Sequence, residues 1–546
     1  MEHSTLHALE LTGQVIALGG IIFFLGLLDP ACRKRGFSTH DEFVLGFQRT
    51  AVKWVSRGAC LAALATFLDL FVEVGEVRGL TVFSGINLPL TWTFATETNV
   101  GRLASSRIVV LVAAALAVRL PRIGWWITAF CTFCSIALTS LVSHAAAQPH
   151  EQIAVLTSQI LHITAAALWV GVLIHLLAAR RLIESADSRD RVGLISEIVR
   201  RFSPVALTVT TLLAVSGIYM LCRFLGDFGG IFASAYGLTL IIKLSFLAPA
   251  IYAGALNYRR IRPQLAAASA PNPTTPAPPV LKRFGSLLEL EVTSGILVLV
   301  VAGILASVSP PGPAGYYRLT AEQQHMVLVP RIPSASIVNP EKFYGAEVRD
   351  LDDFHYSEFT HHWSGVMVGL LGLAWFLQTR GGNFGKWAGY GWPFLLVPFA
   401  AFVAVASDPE VWFLHKIPFS QALADPQLSE HQLGAGIILL LVWLGWRDKR
   451  TSQARRPLGY ALPVIFILGG AMLLGHAHST LTVTDEVTNL INVQHAIFGA
   501  FILTAGVIRW FQLRGLLSAR LANFLWPCCI IGLGIYMAFF YRELLT

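Results

Sequence analysis

The sequence predicts an all-α polytopic membrane protein of about fourteen transmembrane helices, in a block of eight followed by a block of six. Three observations carry that prediction. Of 546 residues, 55% are hydrophobic and 13% charged, against roughly 25% charged in an ordinary soluble domain. Apolar runs repeatedly reach the roughly 20 residues that cross a bilayer as a helix. Lys and Arg gather in alternate loops, as in a chain that keeps its cationic loops in the cytoplasm. The net charge of +8 is explained by those loops, so no nucleic-acid partner is expected, and the lipid bilayer is the implied surrounding.

In order, the first eight spans fall near residues 11–29, 53–73, 103–119, 123–143, 154–178, 203–222, 234–256 and 286–308. Six more fall near 361–378, 387–406, 430–446, 459–475, 490–510 and 521–541. The first four basic loops carry Arg33, Lys34, Arg35 and Arg49; Arg119 and Arg122; Arg180, Arg181, Arg200 and Arg201; and Arg259, Arg260, Lys282 and Arg283. The series continues with Arg380 and Lys386; Arg447, Lys449, Arg450, Arg455 and Arg456; and Arg509, Arg514 and Arg520. The intervening loops are poor in Lys and Arg, which places both termini on the exported, periplasmic side. Residues 1–10, MEHSTLHALE, carry neither Lys nor Arg, as in an uncleaved first helix with an exported N-terminus. The seven cysteines lie mostly within spans and form no disulfide framework.

Three regions follow: an eight-helix domain over 1–310, a periplasmic loop or small cap over 311–360, and a six-helix, histidine-rich domain over 361–546. A proline-rich segment, AAASAPNPTTPAPP at 266–279, reads as a cytoplasmic linker that holds no helix. A weak internal repeat links the blocks. Span 4 ends in Ser143-His144-Ala145 and span 5 carries His162; span 12 ends in Gly475-His476-Ala477-His478 and span 13 carries His495.

All nine histidines of the second half fall at the exported ends of spans or in loops on that side: His325, His355, His361, His362, His415, His431, His476, His478 and His495. Imidazole is the commonest protein metal ligand, so such a layer suggests metal or cofactor capture. His361 and His362 open span 9, but adjacent helical residues point about 100° apart, so one of the pair is expected to face the bundle. His431 opens span 11 and His495 lies a turn inside span 13, depths that suit a site shared between helices. Met472 precedes His476 by one helical turn, and His478 follows two residues later. His415, in DPEVWFLHK, reads as part of an interfacial segment. In the first block, His162 lies a third to halfway across span 5 and needs a partner or a wet pathway. His144 and His175 flank it as candidate stepping points. Lys243 inside span 7 needs a counter-charge, for which Asp69, Glu289 and Glu291 are candidates.

LHITAAALWVGVLIHLL (161–177), SHAAA (143–147), RRFSPVALTVTTLLAVSGIY (200–219) and YGLTLIIKLSFL (236–247) occur in this order. Together they resemble the copper resistance D family of bacterial inner-membrane proteins over roughly residues 1–310. Where that family tends to carry a second glycine, this chain has Trp169-Val170-Gly171-Val172. The resemblance implies an inner-membrane location, copper handling at the periplasmic face and passage of copper into the cytoplasm. The second block resembles the family only through its repeat-like junction. Its place after the first block, with Gln324-His325-Met326, weakly suggests a fused oxidase-assembly factor.

With copper in view, Met472, His476 and His478 offer a thioether for Cu(I) and imidazoles for either oxidation state. Cys131 and Cys134, at i and i+3 on span 4, offer soft sulfur. The candidate metal ligands are His144, His162, His361, His362, His431, Met472, His476, His478 and His495. The leading reading is a copper transport or homeostasis protein, with copper as cargo and a periplasmic copper chaperone as a candidate partner. One alternative is a haem b redox protein that reduces Cu(II) or a quinone, with His361, His362, His431 and His495 as haem ligands. Another is a copper chaperone for oxidase assembly. A transporter or metal-binding protein is favoured over an enzyme: the chain has no Walker-type phosphate loop, no C-x-x-C-H and no H-E-x-x-H.

Overall fold

The computed structural model describes residues 2–38, 40–78, 86–147, 151–312, 316–333, 351–407, 418, 420, 426–450, 457–475 and 485–543. Among these residues there is no strand, and one long helix overlies each predicted span. The first block contains α1 (Glu2–Ile22), α2 (Glu42–Val77), α3 (Asn99–Ala117), α4 (Arg122–Ser140) and α5 (Gln152–Ala166). It is completed by α6 (Arg189–Phe224), α7 (Ala235–Leu256) and α8 (Ala277–Ser307). The second contains α9 (Leu351–Arg380), α10 (Gly382–Ala406), α11 (Pro426–Arg450), α12 (Ala461–Gly475), α13 (Asp485–Leu513) and α14 (Ala519–Phe540). Among the described residues, eleven helices are long and apolar enough to cross a membrane. The exceptions are α9 and α11, whose first two turns carry histidines and carboxylates, and α12, at 15 residues.

Bare backbones set the closest packing. In lipid, helices associate through van der Waals contact, and glycine lets them approach. A Cβ on Gly13 of α1 would lie 2.5 Å from the Gly58 carbonyl of α2, so these two helices touch backbone to backbone. A Cβ on Gly19 would lie 2.3 Å from Gly171. The single glycine of Trp169-Val170-Gly171-Val172 thus suffices for close packing on α1. It closes a π-helical turn, Ala167–Gly171, through which α5 continues into Val172–Ala178. In the second block, Gly365, Gly369 and Gly372 line one face of α9 against α14; a Cβ on Gly534 would lie 2.3 Å from the Gly369 nitrogen.

The blocks share a seam. Ile242, Phe246, Leu297, Val301 and Ile304 of α7 and α8 form one apolar cluster with Leu474, Ala496, Leu503 and Val507 of α12 and α13. Glu289 of α8 accepts from Arg180 of the first block at 2.6 Å and from Arg514 of the second. Residues 316–333 lie against the second block: Asn489 donates to the Tyr316 carbonyl at 2.8 Å, and the Arg331 N–H to the Phe539 carbonyl at 2.7 Å.

The proline-rich segment is shorter than expected. A helix over Arg262–Ala268 takes its first residues, and α8 begins at Ala277 inside it. Proline is accommodated in a helix's first turn, where an N–H has no intrahelical partner. Pro278 and Pro279 therefore start α8 rather than break it.

Candidate metal site

His3, His7, Glu10 and Gln14 of α1 follow one another at four, three and four residues, so they share one helix face. That face looks into the bundle. His3 Nδ1 lies 2.8 Å from Asp69 Oδ1 of α2, and 3.8 Å from Glu73 Oε1 one turn further on. The His3 and His7 rings have centroids 5.5 Å apart. One ligand atom each from His3, His7 and Asp69 fall within 4.8 Å of one another. First-row metal ions hold imidazole and carboxylate at about 2.0–2.2 Å, so small side-chain rotations close these three on a common ion. His7 Nδ1 is buried with no hydrogen-bond partner. Such an atom costs free energy unless something binds it, and a cation between the rings would do so.

Beneath the histidines the column continues. Glu10 accepts from Arg107 Nη1 of α3 at 2.9 and 3.0 Å, and from Thr139 Oγ1 of α4 at 2.8 Å. Gln14 Nε2 bridges Glu10, Ser135 and Thr139 at 3.1, 2.9 and 2.8 Å. Glu10, Gln14 and Arg107 are all buried. Four helices thus meet in a polar stripe running inward from one end of α1. It stops at the apolar core around Val15, Leu18 and Ile21.

The sequence reading passed over His3 and His7. The signal was present: two histidines at i and i+4 place both rings on one helix face. Depth alone makes Asp69 a partner for Lys243, and here the structure corrects the expectation. Asp69 bonds His3, Glu289 is taken by Arg180 and Arg514, and Glu291 accepts from Trp169 and Asn257 at 3.1 Å each. Lys243 has no ion pair among the described residues.

The residues expected to bind metal do not converge on one site. His144 lies in the turn after α4; burial pushes its imidazole below the ordinary range, partly offset by the backbone of Ala306 and Val308. His162 Nδ1 lies 2.9 Å from Ser216 Oγ of α6. That hydroxyl donates to the Leu212 carbonyl at 2.6 Å, so it accepts from His162 and leaves the imidazole lone pair on Nε2. His175 donates from Nε2 to the Ile16 carbonyl at 2.9 Å and stacks on Phe23, tying the α5 run to α1.

In the second block His361 and His495 come together, with ring centroids 5.6 Å apart at 88°. His361 Nδ1 donates to the Ser357 carbonyl at 2.8 Å and His495 Nδ1 to the Ile491 carbonyl at 2.9 Å. Tyr541 stacks on His361 at 3.9 Å, and Phe498 packs against both rings. His362 turns away, donating from Nε2 to the Tyr541 carbonyl at 3.0 Å. His431 and Met472 are half-buried on α11 and α12. His415, His476 and His478 lie outside the described residues. Cys131 is buried on α4 and Cys134 half-buried, both as free thiols.

Two family profiles match this chain. Residues 6–151 match the copper resistance protein D-like N-terminal domain, and residues 196–305 match copper resistance protein D. The copper transport protein CutJ of Bacillus subtilis (strain 168) is 28% identical over 200 residues. That segment is 36% of this chain and 33% of the relative, so the likeness spans about a third of CutJ. No solved structure matches.

Proposed function

We propose that this multi-pass, copper-related membrane protein, whose residues 6–151 and 196–305 match the copper resistance protein D profiles, captures copper at His3, His7 and Asp69 and passes it inward. The observation that carries the reading is the His3–His7–Asp69 grouping, set on top of the buried Glu10–Arg107–Gln14 stripe. Capture and the first stretch of an inward polar route then share one helix face. With the N-terminus exported, as the basic loops imply, the grouping faces the periplasm of a bacterial inner membrane. A periplasmic chaperone can deliver copper there. Its inward passage gains about 2.3 kcal/mol per charge per 100 mV of membrane potential.

His162, with its lone pair on Nε2, is a candidate step further along. His361 and His495 are a candidate second copper site, with ring centroids 5.6 Å apart and each Nδ1 proton fixed by a carbonyl of its own helix. Tyr541 and Phe498 pack against both rings, and nothing in that arrangement favours haem.

The test is copper uptake into vesicles containing the native chain or His3→Ala/His7→Ala. The double variant is expected to take up copper no faster than empty vesicles. Equal uptake by both chains would remove the N-terminal histidines from the path.

A further inference from the structure

The donor atoms at the N-terminal end of α1 distinguish between the two oxidation states of copper. The grouping offers two imidazole nitrogens and one carboxylate oxygen, with a second carboxylate, Glu73, 3.8 Å from His3. Among the described residues no thiol belongs to it: Cys131 and Cys134 are on α4, outside the grouping. Soft sulfur donors select Cu(I), whereas imidazole and carboxylate oxygen suit divalent ions, among which Cu(II) binds most tightly of the first row.

Charge points the same way. Glu10 spends its charge on Arg107, so that buried pair adds none. Asp69 and Glu73 remain beside the histidines. A doubly charged ion gains twice the Coulomb energy from these carboxylates that a singly charged ion does. The hydrogen bond between His3 and Asp69 is also replaceable. A carboxylate only accepts, so His3 Nδ1 holds the proton, and a cation of sufficient charge takes its place between nitrogen and oxygen. His7 Nδ1, buried and without a protein partner, supplies the third donor. His3 and His7 are half-buried rather than sealed, which lets a hydrated divalent ion exchange its waters for ligands one at a time.

We propose that the His3–His7–Asp69 site receives copper as Cu(II). The proposal rests on the copper-capture reading above and specifies its cargo.

The test uses the purified full chain, with Cu(II) followed by electron paramagnetic resonance and Cu(I) by anaerobic competition with a chromophoric chelator. The native chain is expected to give an axial Cu(II) spectrum with nitrogen hyperfine structure. Losing a ligand should matter unequally: Asp69→Asn weakens Cu(II) binding by about tenfold or more and Cu(I) binding by less than about threefold. Asp69→Glu keeps a carboxylate and retains most of the Cu(II) affinity, which separates ligand loss from a fold defect. An Asp69→Asn chain that holds Cu(II) as well as the native one overturns the proposal. So does one in which both oxidation states weaken alike. If neither state binds in a way that depends on His3 and His7, the capture reading falls, and this inference with it.

Discussion

In the first block His3 reaches across to Asp69 on the neighbouring helix, whereas in the second His361 and His495 each bond a carbonyl of their own helix. The first arrangement gathers donors from two helices and continues inward as a network of charged and hydroxyl groups. The second encloses two imidazoles between aromatic rings, with Tyr541 and Phe498 as neighbours. Histidine number ranks the two halves of the chain the other way, since nine of the sixteen histidines lie in the second half. The lesson is that companions, more than counts, mark a cation site. A carboxylate bonded directly to His3, together with the unpartnered ring nitrogen of His7, marks the pair at the start of α1.

The contrast breaks most readily at the Glu10–Arg107 pair. Glu10→Ala leaves a buried guanidinium without its counter-charge, which costs about 3–5 kcal/mol. A thermal-unfolding series in detergent should show Glu10→Ala as far less stable than the native chain, and Glu10→Ala/Arg107→Met as largely restored. Equal melting of all three would mean that the pair does not hold the four helices together. Copper binding comes next. His3→Ala/His7→Ala should lower Cu(II) affinity by about a hundredfold, and His361→Ala/His495→Ala by less than tenfold. Equilibrium dialysis that returned the reverse order would move the principal site to the second block.

Acidity sharpens the same comparison. Copper must displace the proton shared by His3 and Asp69, so binding releases protons and weakens as pH falls, by up to about tenfold per pH unit for each proton released. In a titration from neutral to mildly acid solution, His3→Ala should flatten that slope. An unchanged slope would mean that another group supplies the proton.

The fold was legible because the bilayer constrains it from outside. Thickness fixes run length, and a lipid interior leaves a single-chain segment little alternative to helix. Each of the fourteen expected spans lies on a helix, including α9, which begins ten residues before its expected membrane stretch. The candidate site was only half legible. His3 and His7 were readable as a helical pair, but Asp69 joins them by tertiary contact across more than sixty residues. Lys243 shows the limit clearly. A 1.5 Å rise per residue gives a side chain's depth but not the face on which it emerges, so matching depths suggested Asp69 and the packed helices gave it to His3 instead.

The smallest expected effect lies in the second block. His361 loses two things in His361→Ala: its stack on Tyr541 and its hydrogen bond to Ser357. The stack contributes about 0.5–1.5 kcal/mol beyond area burial. If the pair is chiefly an aromatic box, His361→Phe preserves the stack and should melt within a degree or two of the native chain, about the shift that a fraction of a kcal/mol gives in a large domain. Added copper should then shift the native and His361→Phe melts by equal amounts. If instead copper stabilises the native chain through this pair, the shift is larger for the native chain than for His361→Phe. Comparing both in a His3→Ala/His7→Ala background, where the first site no longer contributes, isolates the second block's share.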